Sequence, residues 1–233
     1  MQSTRLLSGS LVAAALLTSC GGGGGDAGTA PPPTGPTCTP AAAPSAGSTA
    51  PQVTLSISNG AGVSGTLVIT LAPTATPATV ANFLSYVNAG FYNDTVFHRH
   101  GRTNNQTTFV LQGGGYAAPV TSASRFPAPK PTNAAINLEV GRGLSNVCYS
   151  VAMARTAVRN SATSEFYINT TDNVFLDTSD GGYAVFGNVT TGTALVNAMT
   201  TATCNFSPAN FALGSSDCVP QPNLVITRAT QTR

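Results

Sequence analysis

The chain has 233 residues, of which only 8% are charged, and its formal net charge at pH 7 is +2. Phosphate backbones are held by clustered Lys and Arg, and no basic run occurs, so nucleic acid is excluded as a partner class. The length permits one domain with a sizeable core, whose polar surface has to come mainly from Thr, Asn, Ser and Gln.

Residues 1–19 read as an export signal: Arg5 supplies the positive region, and 6–17 form an apolar run too short to span a membrane comfortably. Leu17-Thr18-Ser19-Cys20 resembles the lipobox of bacterial lipoproteins, in which the cysteine is lipidated and becomes the mature N-terminus. The resemblance implies lipidation at Cys20 and an extracytoplasmic location. Gly21 stands where an acidic residue would signal retention at the inner membrane, so an outer-membrane anchor facing the periplasm is expected. Apart from Cys20 and Cys38, residues 20–50 are Gly, Pro, Ala, Thr and Ser with a single charge, Asp26, and read as a flexible tether. That leaves 51–233 as the folded domain.

Two alternating runs, 53–57 and 65–71, flank Asn59-Gly60, a hairpin signal with a loop lengthened by 61–64. A helix follows. Thr76 is its expected cap, Pro77 sits in the first turn where a missing N–H costs nothing, and Val80, Phe83, Leu84 and Val87 recur at helical spacing. Gly90 ends it where a left-handed residue is favoured. Short β-rich runs come next at 95–98, 109–112, 148–155, 165–169, 183–189 and 224–227, with a second short helix at 194–199. The pattern is mainly β and suits a closed antiparallel barrel capped by two helices, although periodicity alone fits a sandwich equally well.

Beyond Cys20 there are Cys38, Cys148, Cys204 and Cys218, which allow three pairings in an exported chain. Cys204 and Cys218 bracket an irregular segment and are the preferred pair, whose loop closure is worth roughly 3 kcal/mol. Cys38 with Cys148 would then pin the tether to the domain. No C-x-x-C occurs, which argues against zinc and against thioredoxin-like redox chemistry. His98 and His100 form an H-x-H without further histidines or a nearby carboxylate pair, so no metal and no cofactor are expected. Gly113 to Gly115 lack the lysine and helix entry of a phosphate loop.

Six phrases in order carry more information than any of these signals. They are Ala72-Pro73 with Thr79-Val80-Ala81-Asn82-Phe83-Leu84, Phe97-His98-Arg99, Gln112-Gly113-Gly114-Gly115, Ala152-Met153-Ala154-Arg155, Ser161-Ala162-Thr163-Ser164-Glu165-Phe166-Tyr167-Ile168-Asn169, and Gly182-Tyr183-Ala184-Val185-Phe186-Gly187. Together they resemble the cyclophilins, in particular their bacterial periplasmic branch, along most of 52–230. The resemblance implies an eight-stranded antiparallel barrel capped by two helices, and peptidyl-prolyl cis/trans isomerase activity in the folding of exported proteins. It implies Arg99 as the catalytic guanidinium and Phe109, Val110, Tyr167, Phe175 and Leu176 as the proline pocket. Gln112, Ala154 and Arg155 would hold the flanking backbone, with His98 and Tyr183 at the edge. The partners it implies are proline-containing peptides and unfolded exported proteins, met by a monomer that touches the membrane only through its lipid.

Isomerisation suits such residues. Amide resonance sets a barrier of about 20 kcal/mol to X–Pro rotation, and lowering it needs neither a nucleophile nor a metal. An arginine stays protonated and can donate to the prolyl nitrogen, whose lone pair becomes available only as the bond twists. Phe97, Phe166 and Phe186 are expected in the core. Two departures from the family pattern bear on the site: Glu165 stands where the family usually carries glutamine, and 100–108 make a longer connection between Arg99 and Phe109. Val110 and Phe175 also replace the methionine and tryptophan common at those positions. The alternative function is a proline-peptide binding or chaperone-like module with weak catalysis.

Overall fold

In the computed structural model, residues 38–39, 49–121, 127–204 and 216–233 are described. Eight strands form a closed barrel: β1 (Gln52–Ser58), β2 (Ser64–Leu71), β3 (Thr95–Arg102), β4 (Thr108–Ala117), β5 (Ser150–Met153), β6 (Phe166–Asn169), β7 (Val185–Thr191) and β8 (Leu224–Gln231). Around the barrel the order is β1-β2-β7-β5-β6-β4-β3-β8, with every neighbouring pair antiparallel. Closure leaves no free sheet edge and settles the choice between barrel and sandwich. Among the described residues no helix is long and apolar enough to cross a membrane.

Strand periodicity sorts side chains to the two faces. Leu55, Leu67, Ile69, Leu111, Val151, Ile168 and Phe186 point inward into one continuous core. Helix α1 (Pro77–Asn88) closes one mouth of the barrel by inserting Phe83, whose ring lies 5.5 Å from Phe166 and 4.9 Å from Phe186. Helix α2 (Thr193–Thr200) buries Val196 and Met199. Phe97, Phe166 and Phe186 are fully buried, as a core role requires.

The ends of α1 show one expected device and one unexpected one. At the C-terminus Gly90 has φ +66°, and the N–H groups of Gly90 and Phe91 donate to the carbonyls of Val87 and Tyr86 at 3.0 Å each. This double closure needs a residue without Cβ strain at positive φ. At the N-terminus Thr76 makes no side-chain capping bond. The Glu139 carboxylate replaces it, accepting from the Ala78 N–H at 3.3 Å and from the Thr79 N–H and hydroxyl at 2.8 Å each. A full negative charge beside the exposed N–H groups is also favoured by the helix dipole.

The expected long connection after Arg99 is absent as a loop. Residues 100–102 extend β3, Thr108 starts β4, and only 103–107 turn, closed by the Thr103 N–H donating to the Thr107 carbonyl at 2.9 Å. The added residues lengthen a hairpin, and the register keeps Arg99 opposite Gln112. Beyond Phe97 the outer edge of β3 no longer meets β8, and Cys218 takes its place through an antiparallel bridge to His100.

Two disulfides tie irregular segments to this frame. Cys204 joins Cys218 with Cα atoms 5.5 Å apart, and Cys38 joins Cys148 at 5.7 Å. Cys38, inside the stretch that composition marks as a tether, is therefore bonded to the barrel. Cys20 and the expected export signal at 1–19 lie outside the described residues.

Candidate functional site

The same alternation that fills the core places a second apolar set on the outside of β4, β6, β5 and β7. Val110, Tyr167, Ala152 and Val185 face outward there and pack with Ala154, Leu176 and Tyr183, with Phe109 alongside. They form the floor of a pocket lined by Phe109, Val110, Ala154, Tyr167, Leu176 and Tyr183, with Arg99, Gln112 and Arg155 as its polar members. An apolar depression with a few fixed polar groups is what a small binding site needs.

Arg99 is 8% exposed and held on two sides. Its Nε donates to Asp217 Oδ2 at 2.7 Å, and its Nη1 donates to Gln112 Oε1 at 2.9 Å. The Gln112 Nε2 donates in turn to Glu165 Oε2 at 2.8 Å. A carboxylate only accepts, so Glu165 fixes which end of the Gln112 amide faces Arg99. His98 Nε2 lies 3.3 Å from the same carboxylate oxygen. Burial works against the Glu165 charge, but His98, the Gln112 hydrogen bond and Arg99 outweigh it and hold the carboxyl below its ordinary value. Arg99 Nη2 makes no hydrogen bond among the described residues, and the residue lines the pocket.

The opposite wall is set by a buried amide and carboxylate network. Tyr167 donates its hydroxyl to Asn146 Oδ1 at 2.8 Å, and Asn146 Nδ2 donates to Asp177 Oδ1 at 2.7 Å. Burial disfavours the charge on Asp177, yet hydrogen bonds from Ser145 and Asn146 prevail and keep its carboxyl below the usual range. Burial, with Tyr183 and Asp177 nearby, raises the Tyr167 phenol well above its ordinary value, so it remains a donor. Its ring is thereby fixed against the pocket floor.

Several residues expected to touch the substrate sit elsewhere or spend their polar groups on the protein itself. His98 is fully buried, edge-on to Tyr116 at 4.7 Å, and supports Glu165 from behind instead of edging the pocket. Glu165 likewise reaches the site only through Gln112. Arg155 is 4% exposed and spends its donors on the carbonyls of Thr156, Asp180 and Gly182 at 2.7–3.1 Å. With its guanidinium 4.5 Å from the Tyr183 ring centroid, it braces the 180–182 turn and that ring. Phe175 stands at the rim, 47% exposed and 6.3 Å from the Phe109 ring, and Leu176 supplies the wall in its place. Asp217 and Asn146 escaped sequence reasoning. The one signal for Asp217 was scarcity, since the chain has only eight acidic residues and this one adjoins a cysteine.

His100 points to the other face of β3, near the sulfurs of Cys204 and Cys218, which are bonded to each other and offer no thiolate. Neither imidazole nitrogen has a partner among the described residues. Burial, aided by the Arg102 charge, lowers its pKa to about 4. The folded value lies below the unfolded one, so acid favours the unfolded chain. The contribution is complete above about pH 6.5 and is lost as pH falls to about 4, on the order of 3 kcal/mol in all. Urea midpoints at pH 7 and 4.5 should therefore converge in His100→Leu relative to the wild type. An unchanged difference would remove His100 as the sensor.

Comparison with known proteins agrees with this geometry. The family model for cyclophilin type peptidyl-prolyl cis-trans isomerases matches residues 53–231. A peptidyl-prolyl cis-trans isomerase A of Dickeya dadantii is 44% identical over 116 residues, covering 49% of this chain and 55% of that protein. A peptidyl-prolyl cis-trans isomerase B of Escherichia coli is 40% identical over 126 residues, covering 51% and 68% respectively. The match thus spans little more than half of the Dickeya protein. A crystal structure of a Cryptosporidium parvum cyclophilin type isomerase superposes with a TM-score of 0.57 at 18% identity, covering 79% of this chain and 98% of that one. The likeness to the parasite protein is one of fold.

Proposed function

The chain belongs to the cyclophilin type peptidyl-prolyl cis/trans isomerase family, and from that premise we propose that it accelerates X–Pro rotation in exported proteins, with Arg99 as the catalytic residue. The observation that supports this most is a guanidinium pinned through Nε and Nη1, with Nη2 left over beside an apolar pocket.

The proline ring of a substrate sits on Val110, Tyr167 and Leu176, with Phe109 beside it. Burial of the ring and of the pocket surface anchors one side of the rotating bond, and the flanking chain lies along Gln112 and Ala154. As the amide twists, its nitrogen turns pyramidal and gains a lone pair, and Arg99 donates to it. That bond is weak to either planar isomer and strong to the twisted state, so it lowers the barrier without stabilising the ground state equally. Because Arg99 is already held, little reorganisation accompanies the step. No covalent intermediate forms.

A protease-coupled assay with a proline-containing peptide tests the reading, using the chain with its disulfides formed. The cis-to-trans relaxation rate rises linearly with enzyme concentration above the uncatalysed rate. An unchanged relaxation would leave a peptide-binding or chaperone-like role. Cys20 is proposed as the lipid attachment site, supported by the lipobox resemblance, with the anchor in the outer membrane and the domain in the periplasm. Metabolic labelling with palmitate is expected in the wild type and absent in Cys20→Ala, and label persisting in the variant would sink the anchor.

A further inference from the structure

We propose that Asp217, carried by the disulfide-tied segment beside β3, is a positioning residue that sets the orientation of the Arg99 guanidinium. The inference rests on the isomerase reading of Arg99 and names a residue outside every motif that carried the family resemblance.

The placement follows from strand geometry. The bridge between His100 and Cys218 is antiparallel, so Asp217 lies across from Gly101. Alternation puts His100 and Cys218 on one face, and Arg99, Gly101 and Asp217 on the other. Gly101 has no side chain, and a Cβ there would stand 2.6 Å from Val110 Cγ2, 3.1 Å from Arg99 Nη2 and 3.2 Å from its Cζ. The missing methyl is the space through which the guanidinium folds over β3 to reach Asp217. Only glycine leaves that path open.

Asp217 is itself fixed. It is 7% exposed, and its Oδ1 accepts the Arg102 N–H at 2.9 Å while Oδ2 accepts from Arg99. Arg102 also donates from Nη1 to the Cys204 carbonyl at 3.3 Å, and the Cys204–Cys218 bond fastens the residue next to Asp217. The carboxylate therefore meets Nε from a rigid base. Gln112 meets Nη1 from the opposite strand, and two fixed acceptors on one planar group define its plane and direct Nη2.

The charge balance also needs Asp217. An almost fully buried guanidinium without a close counter-ion is costly, and Glu165 reaches Arg99 only through the Gln112 amide. A carboxylate at Nε lowers the field that the guanidinium offers to a lone pair. Orientation outweighs this, because the donated bond to nitrogen depends steeply on its angle.

Kinetics of Asp217→Ala and Asp217→Asn in the full chain decide the matter. Asparagine keeps one acceptor oxygen, enough for Nε or for the Arg102 N–H, and turns its amide N–H groups toward the other donor, whereas alanine keeps no acceptor. Alanine is expected to lower kcat on the order of ten- to a hundredfold with KM nearly unchanged, and asparagine, with its one acceptor turned to Nε, to restore part of it. A residue that merely braced the fold would lower the thermal midpoint in the alanine variant and leave kcat of the folded protein at the wild-type value, which would overturn the proposal. Nitrogen-15 NMR of the wild type gives a readout that needs no stable alanine variant. An Arg99 Nε–H resonance, assigned by its loss in Arg99→Lys, should be slow to exchange with solvent, and fast exchange would likewise overturn it. If Arg99→Ala isomerises as fast as the wild type, the isomerase reading falls and takes this inference with it. If Arg99→Ala is slow and Asp217→Ala is not, only the role of Asp217 falls.

Discussion

Replacing Arg99 with alanine should lower kcat/KM for a proline-containing peptide by on the order of 10² to 10³, the usual cost of removing one donor aimed at a transition state. That corresponds to about 3–4 kcal/mol of a barrier near 20 kcal/mol, so the remaining pocket still binds peptide and retains a small rate advantage. Arg99→Lys should fall close to alanine. Lysine keeps the charge, but a single nitrogen at the end of a flexible stem cannot satisfy Asp217 and Gln112 while presenting a third donor in a fixed direction. Both substitutions leave Asp217 short of its partner in a site only 7% exposed, so some stability is lost as well. Rates are best compared at low temperature with folding checked by circular dichroism. Full activity in folded Arg99→Ala would remove the assignment.

The largest effect on stability is expected at Cys38–Cys148. Their separation of 110 residues makes this the longer of the two covalent loops, against 14 for Cys204–Cys218. On the chain-entropy model a loop near that length contributes about 4.7 kcal/mol, compared with about 3 kcal/mol for the short one. Domain stabilities run about 5–15 kcal/mol, so the double replacement Cys38→Ser/Cys148→Ser removes a large share. At about 2–4 °C per kcal/mol for a chain of this size, the thermal midpoint should drop by about 10–20 °C. Cys148 belongs to the inner core cluster and the apolar pocket beside Arg99 to the outer one, so kcat of the folded variant should stay at the wild-type value. A midpoint shift of only a few degrees would show that the unfolded chain gains little freedom when this loop is opened.

The expected elements and the observed ones agree where the determinants are local. Val80, Phe83 and Val87 share one buried helix face, and Gly90 stops the helix with the backbone geometry its sequence position suggests. β1 to β4 and β8 are longer than the runs that marked them, whereas β5 and β6 are shorter than the expected 148–155 and 165–169. β3 and β4 extend across His100 to Arg102 and into the glycine run at 113–115, because hydrogen bonds to a neighbour override weak local preference. The outward set of Val110, Tyr167 and Leu176 was recognisable from family motifs, while periodicity alone could not say which face of the strands met the core.

What the sequence by itself determined is the set of short-range features. These are the alternating runs, the apolar stripe of the first helix, its glycine stop and the ordered phrases that carried the family resemblance. The family resemblance, and no local pattern, is what proposed Arg99 as a donor to a twisting amide. Tertiary structure alone decided which acceptors hold that donor. Asp217 lies 118 residues from Arg99 and Glu139 lies 60 from Thr79, and neither pairing has a period or spacing to betray it. The same holds for Arg155, whose donors turn away from the pocket, and for His98, buried behind Glu165. Periodicity records how a residue sits relative to its near neighbours along the chain. Partners of buried charges are set by barrel closure and by the disulfide beside β3, which bring distant segments together, and desolvation then makes pairing obligatory.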